Sequence, residues 1–353
     1  MNATDFFNRI EDHWDKQQPL VVYKTPNAPR VRAYLQNDSL LHRVSESTAS
    51  GFVMGKFDTN EPPFLILDDE VLETEIDTQS PPQPTETVAL PHNSKEYQRY
   101  IALLNQCIQE IQNTHLKKVV LSRSIDLPLK KVNPWELFQK ALSLYPSAFC
   151  YIWYHPQKGM WLGATPETLF NLKNQQLSTM ALAGTAIATD INLVQWSPKE
   201  IHEQELVTDS ILKALRSLEG NETVTFTPAE TVQAGSLFHL KSHIAATVTK
   251  ASVWELVAAL HPTPAVGGVP RKKAFDFIQK NEGYNRSFYS GYLGPISDKE
   301  THLFVNLRCL QWQPHLVTLY VGSGITAASD PQSEWEETQQ KAQTMLRLIS
   351  STI

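Results

Sequence analysis

Lys117 and Lys118 stand directly before the β-branched run Val119-Val120-Leu121. In a strand they face opposite sides, Lys118 with Val120 and Ser122, Lys117 with Val119 and Leu121. A lysine turned toward apolar neighbours can lose its charge near neutral pH and serve as a base. The plain alternative is that both terminate a strand edge. Glu167 follows the turn Gly163-Ala-Thr-Pro-Glu167. In a closed site its carboxyl would have a raised pKa and act as a general acid. Otherwise it is a turn residue.

Two helices carry further carboxylates. Ser197-Pro198-Lys199-Glu200 is a helix start, with Ser197 as cap, Pro198 at the first helical position and Glu200 completing a capping box. Val207, Ile211, Leu215 and Leu218 form the apolar stripe, and extending it backwards reaches Glu203 and Glu200. Glu200 is explained by capping; Glu203 is not. In the last helix Glu334, Glu337, Lys341 and Met345 line the edge of a stripe made by Ala342, Met345, Leu346 and Ile349. A solvated Glu337–Lys341 pair would contribute only about 0.3–0.5 kcal/mol. Inward carboxylates without His or Cys neighbours suit a hard cation such as Mg²⁺.

Other segments have the chemistry of ligand contacts. Ala181-Leu-Ala-Gly184-Thr185 is a small-residue run that offers amides and a hydroxyl, or simply packs in a sheet. Arg308, on a strand face with Asn306 and Leu310, suits bidentate carboxylate recognition. Gly322-Ser323-Gly324, after a strand over 316–321, resembles an amide-rich anion turn. The segment Leu260-His-Pro-Thr-Pro-Ala265-Val-Gly-Gly-Val-Pro270 has three prolines and two glycines in eleven residues. That composition excludes a helix or a central strand and implies a stiff, shaped loop. No Walker or Rossmann fingerprint is present.

These residues need elements to hold them. The chain has 353 residues, 41% hydrophobic and 19% charged, with a formal net charge of −6. It has no basic footprint for nucleic acid, and anionic ligands must be met by local cations. No apolar run approaches the ~20 residues of a membrane span. The N-terminus lacks a signal-peptide pattern and the three cysteines make no spaced framework, so a cytoplasmic protein is expected. Residues 1–77 hold short apolar runs, 19–23 and 63–67, and no chemical motif. The proline-rich stretch Thr78–Thr85 reads as a connector. It marks the boundary between residues 1–90 and 91–353. Helices are expected over 94–114 (stripe Tyr97, Ile101, Leu104, Ile108), 197–218, 271–280 and 334–349. Strands are expected over 119–121, 149–154, 160–162, 224–226, 303–310 and 316–321. Strand pairs joined by short turns argue for an α+β arrangement with antiparallel sheet.

In order, these segments resemble the chorismate-utilising enzyme family over residues 94–353. The pieces are Lys118-Val-Val-Leu-Ser-Arg123, Gly163-Ala-Thr-Pro-Glu167, Leu182-Ala-Gly-Thr185, Ser197-Pro-Lys-Glu-Ile-His-Glu-Gln-Glu-Leu-Val207, His261–Pro270, Leu307-Arg-Cys309, Gly322-Ser-Gly-Ile325 and Glu334-Trp-Glu-Glu-Thr338 with Lys341. The resemblance implies a large α/β sandwich with extensive antiparallel sheets and outer helices. By the same resemblance residues 1–90 are a variable N-terminal part expected to pack onto the same fold, and 91–353 are the catalytic part. It implies a Mg²⁺ held by Glu203 and Glu337, with Glu200 and Glu334 nearby, taking the ring carboxylate of chorismate. Arg308, Lys341 and the amides of Gly322, Ser323 and Gly324 would hold the pyruvyl carboxylate. Gly184 and Thr185 would border the ligand. Lys118 would activate water for attack at C2, and Glu167 would protonate the departing C4 hydroxyl.

Within the family, Lys118 marks water as the nucleophile, where ammonia-using members differ. Ala265 matches the isochorismate synthases, whereas members that eliminate pyruvate tend to carry Thr there. The resemblance therefore implies an isochorismate synthase that needs no glutaminase subunit, as a monomer or weak homodimer. A salicylate synthase, and a non-catalytic carboxylate binder, are the competing readings. Two departures from the family pattern are Gln204, where His is common, and Gly267-Gly268, where a bulkier residue or Ser often precedes Gly.

Overall fold

The computed structural model describes residues 1–45, 50–76, 87–90, 93–130, 132–188, 190–220, 223–235 and 237–350. The proline-rich connector, Thr78–Thr85, falls outside the described residues. The helices are α1 (Ala3–Asp15), α2 (Ser94–Asn113), α3 (Pro134–Leu144), α4 (Pro198–Arg216), α5 (Val253–Leu260), α6 (Arg271–Asn281) and α7 (Pro331–Ile349). The strands before α2 are β1 (Leu20–Lys24), β2 (Arg30–Leu35), β3 (His42–Arg43), β4 (Gly51–Gly55), β5 (Phe64–Ile66) and β6 (Glu70–Glu75). Between α2 and α4 lie β7 (Lys118–Pro128), β8 (Phe149–His155), β9 (Gly159–Thr165), β10 (Thr168–Lys173) and β11 (Gln176–Ala186). Then come β12 (Val224–Phe226), β13 (Glu230–Ala234), β14 (Leu237–Thr247), β15 (Gly268–Val269), β16 (Tyr292–Ile296), β17 (Glu300–Val305), β18 (Cys309–Gln313) and β19 (Leu316–Ile325).

Among the described residues the strands make two antiparallel sheets. One has the order β15-β7-β19-β18-β9-β8-β1-β2-β6; the other runs β12-β14-β11-β10-β17-β16-β4-β5-β3, with β13 also on β14. This is an α+β sandwich. An aromatic core between the sheets includes Tyr23, Phe52, Phe149, Trp153, Trp161, Phe288 and Phe304. Helices α1, α3 and α7 contribute to the core under the first sheet, and α4 and α5 to that under the second. Strands from residues 20–75 complete both sheets. No helix is long and apolar enough to cross a membrane among the described residues.

Three expectations need correction. The run expected as one strand over 303–310 is two, β17 in one sheet and β18 in the other, and the chain changes sheet at Asn306-Leu307-Arg308. Arg308 takes φ +47° there, so it shares no strand face with Asn306 and Leu310. Gly322-Ser323-Gly324 is not a turn: it continues β19, paired with Ser122, Leu121 and Val120. Helix α2 buries Tyr100, Leu103, Leu104, Cys107 and Ile111 rather than the stripe through Tyr97, Ile101 and Ile108, which sits at its flank. Two apolar stripes overlap on this helix, and packing against β7 and α7 selects between them.

Candidate active site

The two ends of the acid–base pair are fixed by different means. Lys118 opens β7 and is fully buried, while Lys117 is exposed. Its Nζ lies 3.0 Å from Glu203 Oε1 as an ion pair, without hydrogen-bond alignment. Glu167 sits where the chain passes from β9 in one sheet to β10 in the other. The Arg308 crossover lies beside it: the Glu167 carbonyl accepts from Val305 N (2.9 Å), the Arg308 carbonyl from Ala164 N (3.0 Å), and Thr165 Oγ1 donates to Val305 O (2.7 Å). Acid and guanidinium are thus placed by two adjacent sheet changes. Burial pushes the Glu167 carboxyl up to about 7, against the pull of Lys118 and Lys341.

Arg308 Nη1 donates to Lys341 O (3.1 Å) and Thr344 Oγ1 (3.5 Å), and no carboxylate is paired with it among the described residues. Burial lowers its pKa, the cost of a desolvated cation that lacks an anion. A ligand carboxylate would complete it. Lys341 is 2.6 Å from Glu337 Oε1 and donates to Gly322 O at 3.0 Å. Pairing with β18 ends at Leu319, so one edge of β19 is left open beside the cavity that Gly322 and Gly324 line. Ser323 points away from it, fully buried near Tyr100.

The inward carboxylates meet where α4 and α7 begin. Glu203 is 7% exposed and Glu334 2%. Glu200 is spent on the capping box, accepting from Ser197 N at 3.0 Å. The Lys199 ammonium stands among them, 2.8 Å from Glu334 Oε1, 3.8 Å from Glu203 Oε2 and 3.9 Å from Glu200 Oε1. Burial works against its charge, but Glu334, Glu203 and Glu337 raise its pKa on balance. Glu334 is pushed up to about 7 by burial and by Glu337. Glu337 is also raised by burial but held net below the usual range by Lys341, Lys199 and the Thr185 hydroxyl. Among the described residues no three carboxylates close on one metal position. Mg²⁺ binds through one or two carboxylates and keeps water on its other positions. The all-oxygen donors fit it, Glu334 Oε2 is buried without a hydrogen bond, and an internal cation already occupies the cluster.

Glu167, Gly184, Thr185, Glu203, Ala265, Arg308, Gly322, Gly324 and Lys341 line one cavity of about 70 Å³. Lys118 stands behind Glu203 rather than on the open wall. The cavity is smaller than the usual ligand site of about 300–1,000 Å³. Two grooves of about 850 and 830 Å³ lie elsewhere and contain no such acid–base pair. The loop 261–270 is a wall of the cavity through Ala265 and Val266. It is fastened to Lys118's strand: β15 pairs Gly268 with Val119 and Val269 with Lys118. Gly268 is at φ +152°, and a Cβ there would overlap Lys118 O, so only glycine permits that approach.

A model of the family described as "chorismate binding enzyme" matches residues 64–350. The chain belongs to this family. Among its relatives, isochorismate synthase MenF of Haemophilus influenzae is 30% identical over 70% of this chain and 59% of its own length. The salicylate biosynthesis isochorismate synthase of Pseudomonas aeruginosa is 30% identical over 77% of this chain and 59% of its own length. The chain therefore spans about three fifths of these relatives. In fold it is similar to the putative 2,3-dihydroxybenzoate-specific isochorismate synthase DhbC of Bacillus anthracis, with a TM-score of 0.79, 24% identity, and coverage of 96% of this chain and 99% of that one. Anthranilate synthase component I of Streptococcus pneumoniae gives a TM-score of 0.68 at 18% identity, covering 93% of this chain and 92% of that one.

Sequence reasoning missed three polar residues that line this cavity, His239, Tyr289 and Tyr320. His239 Nδ1 contacts Gly184 O at 2.6 Å, and its Nε2 is buried without a partner. Burial and the charge of Arg308 lower its pKa to about 3, so the ring is neutral. A polar residue in the apolar run Phe238-His239-Leu240 was the available signal, and it reads more often as a satisfied core histidine. Gln204 donates to Thr208 Oγ1 and Ser242 Oγ, each at 2.9 Å. It is buried in the α4–β14 packing and lies outside the cavity lining.

Proposed function

We propose that this chain is an isochorismate synthase, converting chorismate to isochorismate with Mg²⁺. The observation that carries the reading is a buried lysine, Lys118, beside a cavity lined by a buried carboxyl, Glu167, and an unpaired guanidinium, Arg308. Arg308 and Lys341 take the pyruvyl carboxylate of chorismate, Lys341 exchanging Glu337 for it. Lys118 releases its ammonium proton to solvent as it gives up its contact with Glu203, and the neutral amine accepts a proton from the water that attacks C2. After turnover Lys118 loses that proton to solvent and Glu167 regains one. Glu167, protonated near neutral pH, donates its proton as the C4–oxygen bond breaks, so one water enters and one leaves. Mg²⁺ held by Glu203 and Glu337, with Glu334 close by, would supply the positive charge that meets the ring carboxylate. Ala265 and Val266 close the ring in and exclude bulk water.

Water as nucleophile requires no glutaminase subunit. We propose a monomer or weak homodimer in the cytoplasm, consistent with three buried free cysteines. The division into residues 1–90 and a catalytic part 91–353 is proposed on the same footing, since every assigned site residue lies after 91. Incubation with chorismate and Mg²⁺ followed by product chromatography tests the reaction. Isochorismate as the main product is expected. Salicylate and pyruvate as main products would overturn the reading in favour of a salicylate synthase, and unconsumed chorismate in favour of a binder.

A further inference from the structure

Glu282 and Arg286 form an ion pair that no step above uses. They are 1% and 3% exposed. Arg286 Nε donates to Glu282 Oε2 at 2.7 Å and Nη2 to Oε1 at 2.5 Å. The same guanidinium donates to two backbone carbonyls, Val266 O at 2.9 Å through Nη1 and Val120 O at 2.6 Å through Nη2. Its plane lies over Phe57, 4.3 Å from the ring centre. Glu282 Oε1 accepts from Ser122 N (2.7 Å) and Ser122 Oγ (2.9 Å), and Ser122 Oγ also meets Tyr284 OH at 2.7 Å.

The partners' positions give this pair a purpose. Val266 adjoins Ala265 in the wall of the cavity. Val120 and Ser122 follow Lys118 on its own strand, at the two-residue spacing that shares its face. The backbone ladder already joins loop and strand through Lys117 N to Val269 O and Val120 N to Gly267 O, each 2.8 Å. Arg286 adds a third tie across the same seam, and Glu282 anchors it two residues further along β7. A buried ion pair is weak evidence for stability, because desolvation offsets most of its Coulomb gain. A guanidinium that spans two carbonyls and a carboxylate gives geometry that one ammonium cannot.

We propose that Arg286, held by Glu282, is a positioning residue that fixes the spacing between the Ala265 wall and the Lys118 strand, and so sets turnover without touching the substrate. This rests on the isochorismate-forming reading.

The test uses Arg286→Lys and the milder Ser122→Ala in the full chain, read by melting temperature, Mg²⁺ titration calorimetry and steady-state kinetics. Misplacing a catalytic group by about an ångström costs roughly 10²-fold. Arg286→Lys is expected to lower kcat by about 10–100-fold, with KM for chorismate and Mg²⁺ affinity changed only about two-fold. Ser122→Ala should fall in the same direction by less. A kcat within about two-fold of wild type in a folded Arg286→Lys protein would overturn the proposal. So would loss of kcat, chorismate KM and Mg²⁺ affinity together with melting temperature, which marks a merely structural role. If Arg286→Lys does not fold, Ser122→Ala decides, and an unchanged kcat there sinks the idea. A wild-type chain that leaves chorismate untouched defeats the functional reading; an active wild type with an unaffected Arg286→Lys defeats this one alone.

Discussion

The roles proposed for Lys118 and Glu167 rest on burial, and each makes a prediction. Lys118→Gln keeps a polar side chain, one atom shorter, and removes the base. Turnover should fall by ~10³-fold, the range of a lost general base, while circular dichroism shows an intact fold. A variant of near-normal activity would refute the assignment. Glu167 is raised from 4.5 to about 7 by burial, so the folded chain favours its protonated form between those values. The stability it contributes is full below about pH 4.5 and is lost as pH rises through about 7, a change on the order of 3 kcal/mol. Glu167→Gln should flatten that part of the stability–pH curve while sharply lowering turnover. Glu334, also raised to about 7, contributes a second slope of the same sign that should persist in the variant. Wild-type kcat should fall above about pH 7 as Glu167 ionises. A wild-type curve of stability against pH that Glu167→Gln leaves unchanged would contradict the buried, protonated acid.

Strands and loops decide what surrounds those groups. Gly324 lies inside β19 opposite Val120, and a Cβ there would overlap Glu203 Oε1 and come within 3.1 Å of Lys118 Cε. Gly324→Ala should therefore fold, because a flexible carboxylate can yield, but weaken Mg²⁺ binding by about 10–100-fold, as measured by calorimetry. Unchanged affinity would show that Glu203 does not hold the metal. In the loop, Ala265 lines the cavity, and Ala265→Thr is expected to increase pyruvate release from bound isochorismate, followed by a coupled pyruvate assay. No increase would mean the loop matters less to the outcome than its position implies. At this scale much was legible in the sequence. The capping box at Ser197 and Glu200 set the start of α4, and the stripe Val207, Ile211 and Leu215 gave its buried face with Glu203 at the near end. The change of sheet at Arg308 was not legible, because residues 303–310 read as one apolar run whichever sheet they join. The continuation of β19 through Gly322-Ser323-Gly324 was hidden by glycines that signal a turn locally but here allow close approach.

Across the whole molecule the site is a set of opposite charges gathered from both sheets and two helices. Lys199 among the carboxylates acts as an internal counter-ion, which the proposed Mg²⁺ would have to displace. Lys199→Gln should lower the melting temperature without metal, since it leaves buried carboxylates uncompensated, yet tighten Mg²⁺ binding. A variant with unchanged affinity would show that Lys199 does not compete for that position. By itself the sequence determined the types and order of the candidate site residues, the antiparallel α+β class, and the helices that carry the carboxylates. Those follow from local periodicity, caps and ordered motifs. Only the tertiary structure decided which lysine is buried, that Glu167 and Arg308 meet at adjacent sheet crossovers, that His239 lines the cavity, and that Lys199 neutralises the acidic cluster. Those facts depend on burial and on contacts between residues far apart in the chain, where charge and desolvation are set by neighbours that no local pattern names.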